Sequence, residues 1–312
     1  MKTTRGSLVA ARALIDAVGS GAKIRVLNTS IGRPISDVDN DQIYKNERIP
    51  GATMVDIDQV HDHSSSVSHQ TPLEDDFNQF MKRLDIRKDD NIVLYDDYTM
   101  AGPSKFWWSF KQFGKDVHVL DGCFDGWKKA GGKIETGSPA YQARSDWDKH
   151  GQFKLIGKAI MNFDDVNAVS YMMRNKSLDY QIVDARSGPR FRSEVDEPRA
   201  GLRRGNIPGS KNLFFKDLLT ADMKSFKSND ELKEVFQKAG IDPSKPTVMS
   251  CGSSVTASVI DCALGVLGYQ NKRYIYQPSW SEYGKTPEIS DSEIAEKCIP
   301  KSKWFKNEKL SI

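Results

Sequence analysis

The chain repeats itself, and this repeat constrains its fold more than any other feature. Three short segments of the first half recur in the second: IRVLN (24–28) as QIVDA (181–185), RIPGA (48–52) as NIPGS (206–210), and NIVLYDD (91–97) as PTVMSCG (246–252). The offset is about half of the 312-residue length, whereas solenoid repeats are several times shorter. The pattern predicts two halves that are built alike, with Asp96 of the first half aligned with Cys251 of the second.

Each half alternates strand-like and helix-like segments. Apolar, β-branched runs are followed by polar loops and by segments such as FNQFMKRL (77–84) and DELKEVFQKAG (230–240), which carry apolar residues at helical spacing. Strands that alternate with helices at short intervals predict an α/β fold with a parallel sheet covered on both faces. The predicted boundaries are an N-terminal domain at 1–137, a linker at 138–157, a C-terminal domain at 158–288 and a tail at 289–312.

Composition excludes several classes of function. The net charge of +3 is too small to favour nucleic acid or a membrane surface as a partner, and no apolar run approaches the length of a membrane span. The four cysteines form no CxxC pair, which favours free thiols in a reducing compartment over a zinc ribbon. We expect a cytoplasmic protein. A mitochondrial location is the alternative, because Arg5 and Arg12 precede the first acid, Asp16, although an amphipathic first helix explains them better.

The segment MSCGSSVTAS (249–258) holds the first candidate site. PTVM predicts a strand that ends just before Cys251, and TASVIDCALGVLG predicts the helix that follows. Cys251 is therefore expected at the carboxyl end of a parallel strand, where open α/β sheets form their ligand crevices. The backbone amides of residues 252–256 and the helix N-terminus would stabilise a thiolate there. The alternative is a buried, unreactive cysteine, the class to which we assign Cys262.

Five stretches carry a resemblance to a known family: CGSSVTA (251–257), the two Ile-Pro-Gly turns, DARSGPRF (184–191) and DEPRAG (196–201). They look like the rhodanese superfamily, and within it the chain resembles the two-domain 3-mercaptopyruvate sulfurtransferases from about Leu8 to Trp280. The resemblance implies two tandem rhodanese-like domains, each a parallel five-stranded sheet flanked by helices. It also implies that only the second domain is catalytic and that Cys251 carries a persulfide. Cysteine phosphatases use a similar loop, but they need an arginine where this chain has Ala257.

The substrate-binding residues follow from the same resemblance. Arg190 and Arg199 match the pair that binds the carboxylate and ketone of mercaptopyruvate, and guanidinium forks suit such groups. On sequence alone, both arginines could equally pair with the acidic residues of the same loop: Glu194, Asp196 and Glu197. In the cysteine loop we predict substrate contacts for four residues: Gly252, Ser254, Val255 and Thr256. The loop lacks the basic residues of the thiosulfate-using members, which favours a substrate whose charge lies away from its sulfur.

Asp58 and His69 lie in the first half, and by resemblance they form a Ser–His–Asp arrangement with Ser253 across the domain interface. We predict that these three residues are catalytic together with the cysteine, because the leaving pyruvate enolate must collect a proton that a serine backed by histidine can supply. The alternatives are a surface histidine with a turn aspartate, or a metal site that His69 shares with His61 and His63. A serine-rich loop fixes metal ligands poorly, so no metal is predicted.

Several positions depart from the family pattern. Ser254 stands where the family has glycine, so its Cβ atom is expected to crowd the loop or to require unfavourable backbone angles. Gln277 and Pro278 replace an Asp-Gly pair, and Lys105 lies near the place of a family arginine in the first domain. These changes are compatible with the fold and bear on rate and substrate preference.

The predicted function is sulfur transfer from 3-mercaptopyruvate through a Cys251 persulfide to a thiol acceptor such as thioredoxin or glutathione, or to cyanide, with release of pyruvate. Hydrogen sulfide would follow on reduction, no cofactor is required, and we expect a monomer or a weak homodimer. A thiosulfate:cyanide sulfurtransferase is the nearest alternative. A non-catalytic rhodanese-fold binding or sensor protein is the second, and slow labelling of Cys251 at neutral pH would favour it.

Overall fold

The computed structural model describes residues 4–31, 44–138, 147 and 152–304 of the chain. The strands of the first sheet are β1 (Leu8–Val9), β2 (Ile24–Asn28), β3 (Thr53–Met54), β4 (Asn91–Tyr95) and β5 (His118–Leu120). Those of the second sheet are β6 (Ile160–Met161), β7 (Gln181–Asp184), β8 (Lys211–Asn212), β9 (Thr247–Ser250) and β10 (Arg273–Tyr276). The orders β1-β5-β4-β2-β3 and β6-β10-β9-β7-β8 match strand by strand, and the pairings are parallel. The predicted fold of two tandem five-stranded domains is confirmed.

Helices flank both sheets. Those of the first domain are α1 (Ala11–Gly19), α2 (Glu74–Arg83), α3 (Ala101–Gln112) and α4 (Cys123–Lys129), with a 3-10 helix at Ile57–Gln59. Those of the second domain are α5 (Phe163–Arg174), α6 (Gly188–Phe191), α7 (Asn229–Lys238), α8 (Ala257–Val266) and α9 (Ser279–Tyr283), with a 3-10 helix at Phe215–Leu218. The tail adds α10 (Asp291–Glu293), a π-helical turn at Ile294–Cys298 and α11 (Ile299–Lys301). No helix in the described part of the chain is long and apolar enough to cross a bilayer.

Local sequence signals define the ends of helix α7. The Ser228 hydroxyl accepts the N–H of Glu231, and the Glu231 carboxylate accepts the N–H of Ser228, which together form a capping box. Gly240 follows the helix with a φ of 66°, the left-handed conformation that glycine adopts without strain. Leu232 and Phe236 are buried on the core side. Cap and apolar spacing therefore specify the same helix that the sequence pattern predicts.

The central strands β4 and β9 hold equivalent places in the two sheets. Four of the five residues of β4 and all four residues of β9 are buried, as expected for strands covered on both faces. The residues directly after these strands are Asp96 and Cys251. The structural repeat thus places Asp96 and Cys251 at the same position of their domains.

The two domains pack against each other through the equivalent helices α3 and α8. The contact is close, because a Cβ atom at Gly265 would lie 3.4 Å from the indole ring of Trp107. Backbone hydrogen bonds add to it: the N–H of Met100 donates to the carbonyl of Met223 at 3.0 Å. Apolar packing and backbone pairing therefore fix the orientation of one domain relative to the other, and loops of both domains meet around Cys251.

The predicted linker lies only partly within the described residues. Its residue Phe153 is buried and exchanges two hydrogen bonds with the Asn78 side chain of α2, at 2.8 and 2.9 Å. In the tail, Trp304 packs edge-on against Tyr180 and Tyr274 of the second domain. These parts of the linker and the tail are anchored to the domains, and the domain boundaries themselves stay predictions.

Candidate active site

Cys251 lies directly after β9, and its side chain is 2% exposed. The segment that begins α9 holds its loop in place. The N–H of Cys251 donates to Ser279 Oγ at 3.1 Å, and the Cys251 carbonyl accepts the N–H of Trp280 at 3.0 Å. The carbonyl of Gly252 accepts the N–H and the hydroxyl of Ser281, at 3.0 and 2.6 Å. The backbone that carries the thiol is therefore rigidly positioned by its own domain.

A cavity of about 420 Å³ opens beside the Cys251 loop where the two domains meet. The second domain lines it with Cys251, Arg190 and Arg199, and the first domain contributes Ile31 and His69. Its volume lies within the usual range for small-molecule sites. The loop residues Gly252, Ser253, Val255 and Thr256 line it as well. The structure thus brings residues predicted from both halves of the chain to one cavity.

Ser253, His69 and Asp58 are in contact across the domain interface. His69 Nδ1 lies 3.1 Å from Ser253 Oγ, and His69 Nε2 lies 3.2 Å from Asp58 Oδ1. A proton on Nε2, facing the carboxylate, leaves Nδ1 to accept the hydroxyl of Ser253. The histidine is largely buried, whereas the Asp58 side chain is 73% exposed. The arrangement orients the imidazole and connects the buried serine with the solvent-exposed carboxylate.

His69 is uncharged at neutral pH in this environment. Burial and the nearby positive charges of Lys105 and Arg199 together lower its pKa to about 4, although the Asp58 carboxylate partly opposes them. Because the cations and the burial outweigh one exposed carboxylate, the imidazole remains neutral over the physiological range. A neutral imidazole can accept or relay a proton beside Ser253, whereas an imidazolium could only donate one.

Arg199 is the cation best placed to bind a ligand in the cavity. Its Nη2 donates to Ser253 Oγ at 3.2 Å. A Cβ atom on Gly252 would lie 3.3 Å from Arg199 Nη1 and 3.6 Å from Arg190 Nη2, so both guanidinium groups lie over this glycine. Gly252 therefore permits a close approach of two cations to the residue that follows the thiol.

Arg190 pairs with an acidic residue of its own loop, which is one of the alternatives that the sequence leaves open. Its Nε and Nη2 donate to the two carboxylate oxygens of Glu197, at 3.2 and 2.5 Å. Glu197 is buried and also accepts Nη1 of Arg186 at 2.8 Å. The other two acidic neighbours pair elsewhere, Glu194 with Arg192 and Asp196 with Arg204. Arg186 also pairs with the buried Asp184, so Asp184 and Glu197 balance the charges of Arg186 and Arg190, and Arg199 supplies the net positive charge at this side of the cavity.

Ser254 adopts the backbone angle that its sequence position predicts to be unfavourable, with a φ of 69°. It is fully buried. Its hydroxyl accepts Lys105 Nζ at 2.8 Å and donates to the carbonyl of His69 at 3.2 Å. These bonds offset the cost of the left-handed conformation. The side chain thus faces the first domain, and the predicted substrate contact of Ser254 stays a prediction.

Sequence reasoning did not identify two interdomain contacts that position His69. The first is the Lys105–Ser254 hydrogen bond, since the resemblance placed Lys105 only near a family arginine. The second is made by Gln277, whose Oε1 accepts the N–H and the hydroxyl of Thr71 at 2.7 and 3.0 Å. Both partners are polar residues in otherwise apolar or tightly packed segments, which is the one local signal that marks them.

The first domain has a buried carboxyl where the second has its thiol. Asp96 Oδ1 accepts the N–H groups of Tyr98 and Thr99 at 2.7 and 3.2 Å. Burial and the neighbouring Asp97 together raise the pKa of Asp96 to about 7, although the hydrogen bonds from Tyr98 and Thr99 oppose the increase. A carboxyl cannot carry sulfur as a persulfide, so Asp96 cannot take the role proposed for Cys251.

Of the described histidines and cysteines, only His69 and Cys251 line this cavity. The rings of His61 and His63 are 4.2 Å apart, whereas His69 faces Ser253, and no group of three metal-ligating side chains occurs among the described residues. The four cysteines are free and buried. Burial raises the pKa of the Cys262 thiol to about 12 and that of Cys298 to about 11, and it raises the pKa of Cys123 strongly. These three thiols are poor nucleophiles.

Comparison with known proteins identifies the family. The rhodanese-like domain family matches residues 23–130 and 166–286. A probable 3-mercaptopyruvate sulfurtransferase from Schizosaccharomyces pombe is 35% identical over 254 residues, which cover 81% of this chain and 83% of that protein. The 3-mercaptopyruvate sulfurtransferase of Escherichia coli K12 is 33% identical over 271 residues, which cover 86% and 91%. The crystal structure of SseA, a 3-mercaptopyruvate sulfotransferase from Escherichia coli, matches with a TM-score of 0.75 and 29% identity over 89% of this chain and 99% of that chain. The chain therefore belongs to the rhodanese family, as a tandem of two rhodanese-like domains.

Proposed function

We propose that this protein is a 3-mercaptopyruvate sulfurtransferase, which takes sulfur from 3-mercaptopyruvate onto Cys251 and releases pyruvate. One observation carries the proposal: the thiol, two guanidinium groups and the Ser253–His69 pair surround a single cavity. The similarity to curated 3-mercaptopyruvate sulfurtransferases over most of the chain supports the same donor.

The two arginines would hold the carboxylate and ketone of the donor. A 2-oxo acid has its anionic end three carbons from the sulfur, and Arg190 and Arg199 lie over Gly252, one residue beyond the thiol. Arg199 lines the cavity beside Ser253, while Glu197 orients Arg190 and neutralises part of its charge. A planar guanidinium pairs well with a planar oxo-acid group. This placement directs the donor sulfur towards Cys251.

The sulfur transfer is a displacement at sulfur. The Cys251 thiolate attacks the donor sulfur, and a sulfur–sulfur bond forms while the bond between that sulfur and C3 of the donor breaks. The electron pair of the broken bond stays on the three-carbon unit, which leaves as pyruvate enolate. Protonation at C3 completes pyruvate, and Cys251 retains the sulfur as a persulfide. The step requires no external oxidant or reductant.

Ser253 and His69 would supply the proton for the enolate. The serine hydroxyl can pass its proton to C3. The serine oxygen then regains a proton from His69 Nδ1 after the imidazole has changed tautomer by exchange with solvent, while the exposed Asp58 carboxylate holds the ring in orientation. Arg199 donates to Ser253 Oγ and so stabilises the oxygen at the moment it loses its proton. Asp58, His69 and Ser253 thus act after Cys251 has attacked.

A thiol acceptor would complete the cycle. Its thiolate attacks the outer sulfur of the persulfide, the sulfur–sulfur bond breaks, and Cys251 leaves as thiolate. We propose thioredoxin or glutathione as acceptors and cyanide as an artificial one, with hydrogen sulfide released when reductant is in excess. The cytoplasm or the mitochondrial matrix would keep the thiols reduced.

The function is tested by comparing the two donors. With a thiol reductant, we expect kcat/KM for pyruvate release from 3-mercaptopyruvate to exceed that for thiocyanate formation from thiosulfate and cyanide by about tenfold or more, because no basic residue directly follows Cys251 to bind a sulfur dianion. A preference for thiosulfate would overturn the assigned donor. A folded protein that uses neither donor would favour the binding or sensor alternative.

A further inference from the structure

Lys105 is a buried cation of the first domain that points at the sulfur-transfer site of the second. Its side chain belongs to α3 and is almost fully buried. The ammonium donates to Ser254 Oγ at 2.8 Å and lies 4.9 Å from the centre of the Trp108 ring. Among the described residues, no carboxylate forms an ion pair with it. Burying an ammonium without a paired carboxylate costs free energy. We therefore expect another negatively charged group nearby that stabilises the charge of Lys105.

The candidate partner is Cys251, which lies three residues before Ser254 in the same buried loop. Burial lowers the pKa of Lys105 to about 7, and the thiolate of Cys251 is the neighbouring charge that opposes this decrease. The other ionisable groups around the cysteine do not fill the same role. His69 is neutral at physiological pH, and the charge of Arg190 is paired with the Glu197 carboxylate. Arg199 lies beside Ser253, where the substrate would bind.

Lys105 is also connected, through hydrogen bonds of Ser254, to His69, which contacts Ser253. Ser254 accepts the ammonium and in turn donates to the carbonyl of His69, whose ring contacts Ser253. His69 has a φ of 64° and Ser254 a φ of 69°, so two strained backbone positions share this one contact. A side chain of the first domain therefore supports the cysteine loop and the histidine together.

We propose that Lys105 is a positioning residue of the sulfur-transfer reaction, through which the first domain supplies the buried positive charge that stabilises the thiolate and persulfide of Cys251. The proposal deepens the proposed function and rests on it for the persulfide. It gives the first domain, which has Asp96 in place of a reactive thiol, an electrostatic part in the chemistry.

The first test follows the alkylation of Cys251 against pH, read by mass spectrometry of its peptide. In Lys105→Gln, which can still donate to Ser254 but is uncharged, we expect the midpoint of the profile to move to higher pH by about one unit or more, because the thiolate loses its neighbouring cation. Lys105→Arg keeps the charge and should stay close to the wild type. Lys111→Gln is the matched control, since Lys111 is a half-buried lysine of the same helix that lies over the Trp107 ring at 4.4 Å.

A reciprocal test uses the lysine itself and does not depend on the folding of a Lys105→Gln protein. In a pH titration by NMR of lysine side-chain signals, the Lys105 signal, identified by its absence in Lys105→Arg, should titrate near neutral pH. In Cys251→Ala it should titrate at lower pH, since the thiolate that favours the ammonium is gone. An alkylation profile that is unchanged in Lys105→Gln would overturn the proposal. A Lys105 signal with the same titration midpoint in Cys251→Ala as in the wild type would overturn it as well.

Neither readout needs a sulfur donor. A protein that fails to use 3-mercaptopyruvate but shows both shifts would refute the proposed donor while keeping the Lys105–Cys251 coupling. Turnover of 3-mercaptopyruvate without either shift would retain the enzyme and reject the role of Lys105.

Discussion

Cys251→Ser is expected to reduce pyruvate release from 3-mercaptopyruvate by at least about a thousandfold, because a serine hydroxyl at neutral pH neither attacks sulfur nor holds it as a persulfide. The substitution changes one atom of a side chain that is 2% exposed, and the backbone bonds of the loop to Ser279 and Trp280 do not involve the sulfur. The variant should therefore fold like the wild type. The measurement is the steady-state rate of pyruvate formation with a thiol reductant, beside a thermal melt.

The matched control is Cys262→Ala, which removes a thiol buried in α8 of the same domain. Because burial raises the pKa of Cys262 to about 12, this thiol stays protonated and should not react. The control should retain activity within about twofold, although it is expected to lower the melting temperature by removing core contacts. Turnover by Cys251→Ser at a rate comparable with the wild type would exclude Cys251 as the sulfur carrier.

Arg199→Ala is expected to lower kcat/KM for 3-mercaptopyruvate by about a hundredfold, chiefly through KM, because charge-assisted hydrogen bonds to a carboxylate in a largely enclosed site contribute on the order of 2–3 kcal/mol. The variant also loses the bond from Nη2 to Ser253 Oγ, so a smaller decrease in kcat is expected as well. The activity with thiosulfate should fall much less, since thiosulfate has no carboxylate or ketone on a carbon chain away from its transferred sulfur for Arg199 to hold. Steady-state kinetics with both donors provides the measurement.

Two further variants separate charge, geometry and loop stability. Arg199→Lys keeps a cation but loses the planar fork, and we expect it to recover only part of the affinity. Arg192 lies in the same loop, but its ion-pair partner is the exposed Glu194. The kinetic constants of Arg192→Ala should therefore match those of the wild type within about twofold. Equal losses for both donors in Arg199→Ala would mean that the arginine supports the loop instead of binding the carboxylate.

The fold could be predicted because its determinants are local and occur twice. Each strand and helix of the repeat is encoded by a short apolar pattern, and the paired segments appear in the same order in both halves. The place of Cys251 follows from the same logic, since a strand before it and a helix after it require a loop at the carboxyl edge of the sheet. The structure agrees with the sequence at this level.

The contacts between the domains could not be predicted from the residues alone. His69 and Ser253 are 184 residues apart, and their 3.1 Å contact depends on how α3 packs against α8. The resemblance suggested that these two residues meet, but no local pattern requires it. Lys105–Ser254 and Gln277–Thr71 are of the same kind. Periodicity describes which face of an element is buried, not which polar atom it meets on another domain.

The role of Arg190 could not be predicted from the sequence for a different reason. Its spacing in the chain fits both a substrate-binding role and a pairing with acidic neighbours, and the structure places it between Glu197 and the cavity. The buried Glu197 orients the guanidinium and is shared with Arg186. The pairing with an acidic neighbour is thus observed, and it leaves Arg190 in the cavity lining, where the proposed substrate-binding role requires it.

The most direct test of the central claim is the mass of the Cys251 peptide after a single turnover. The reduced protein is mixed with one equivalent of 3-mercaptopyruvate without an acceptor, and pyruvate is measured in the same sample. The account predicts one additional sulfur atom on the Cys251 peptide for each pyruvate released, and loss of that sulfur when a thiol is added. Pyruvate released with no sulfur on Cys251, or sulfur found on Cys123, Cys262 or Cys298 instead, would contradict it.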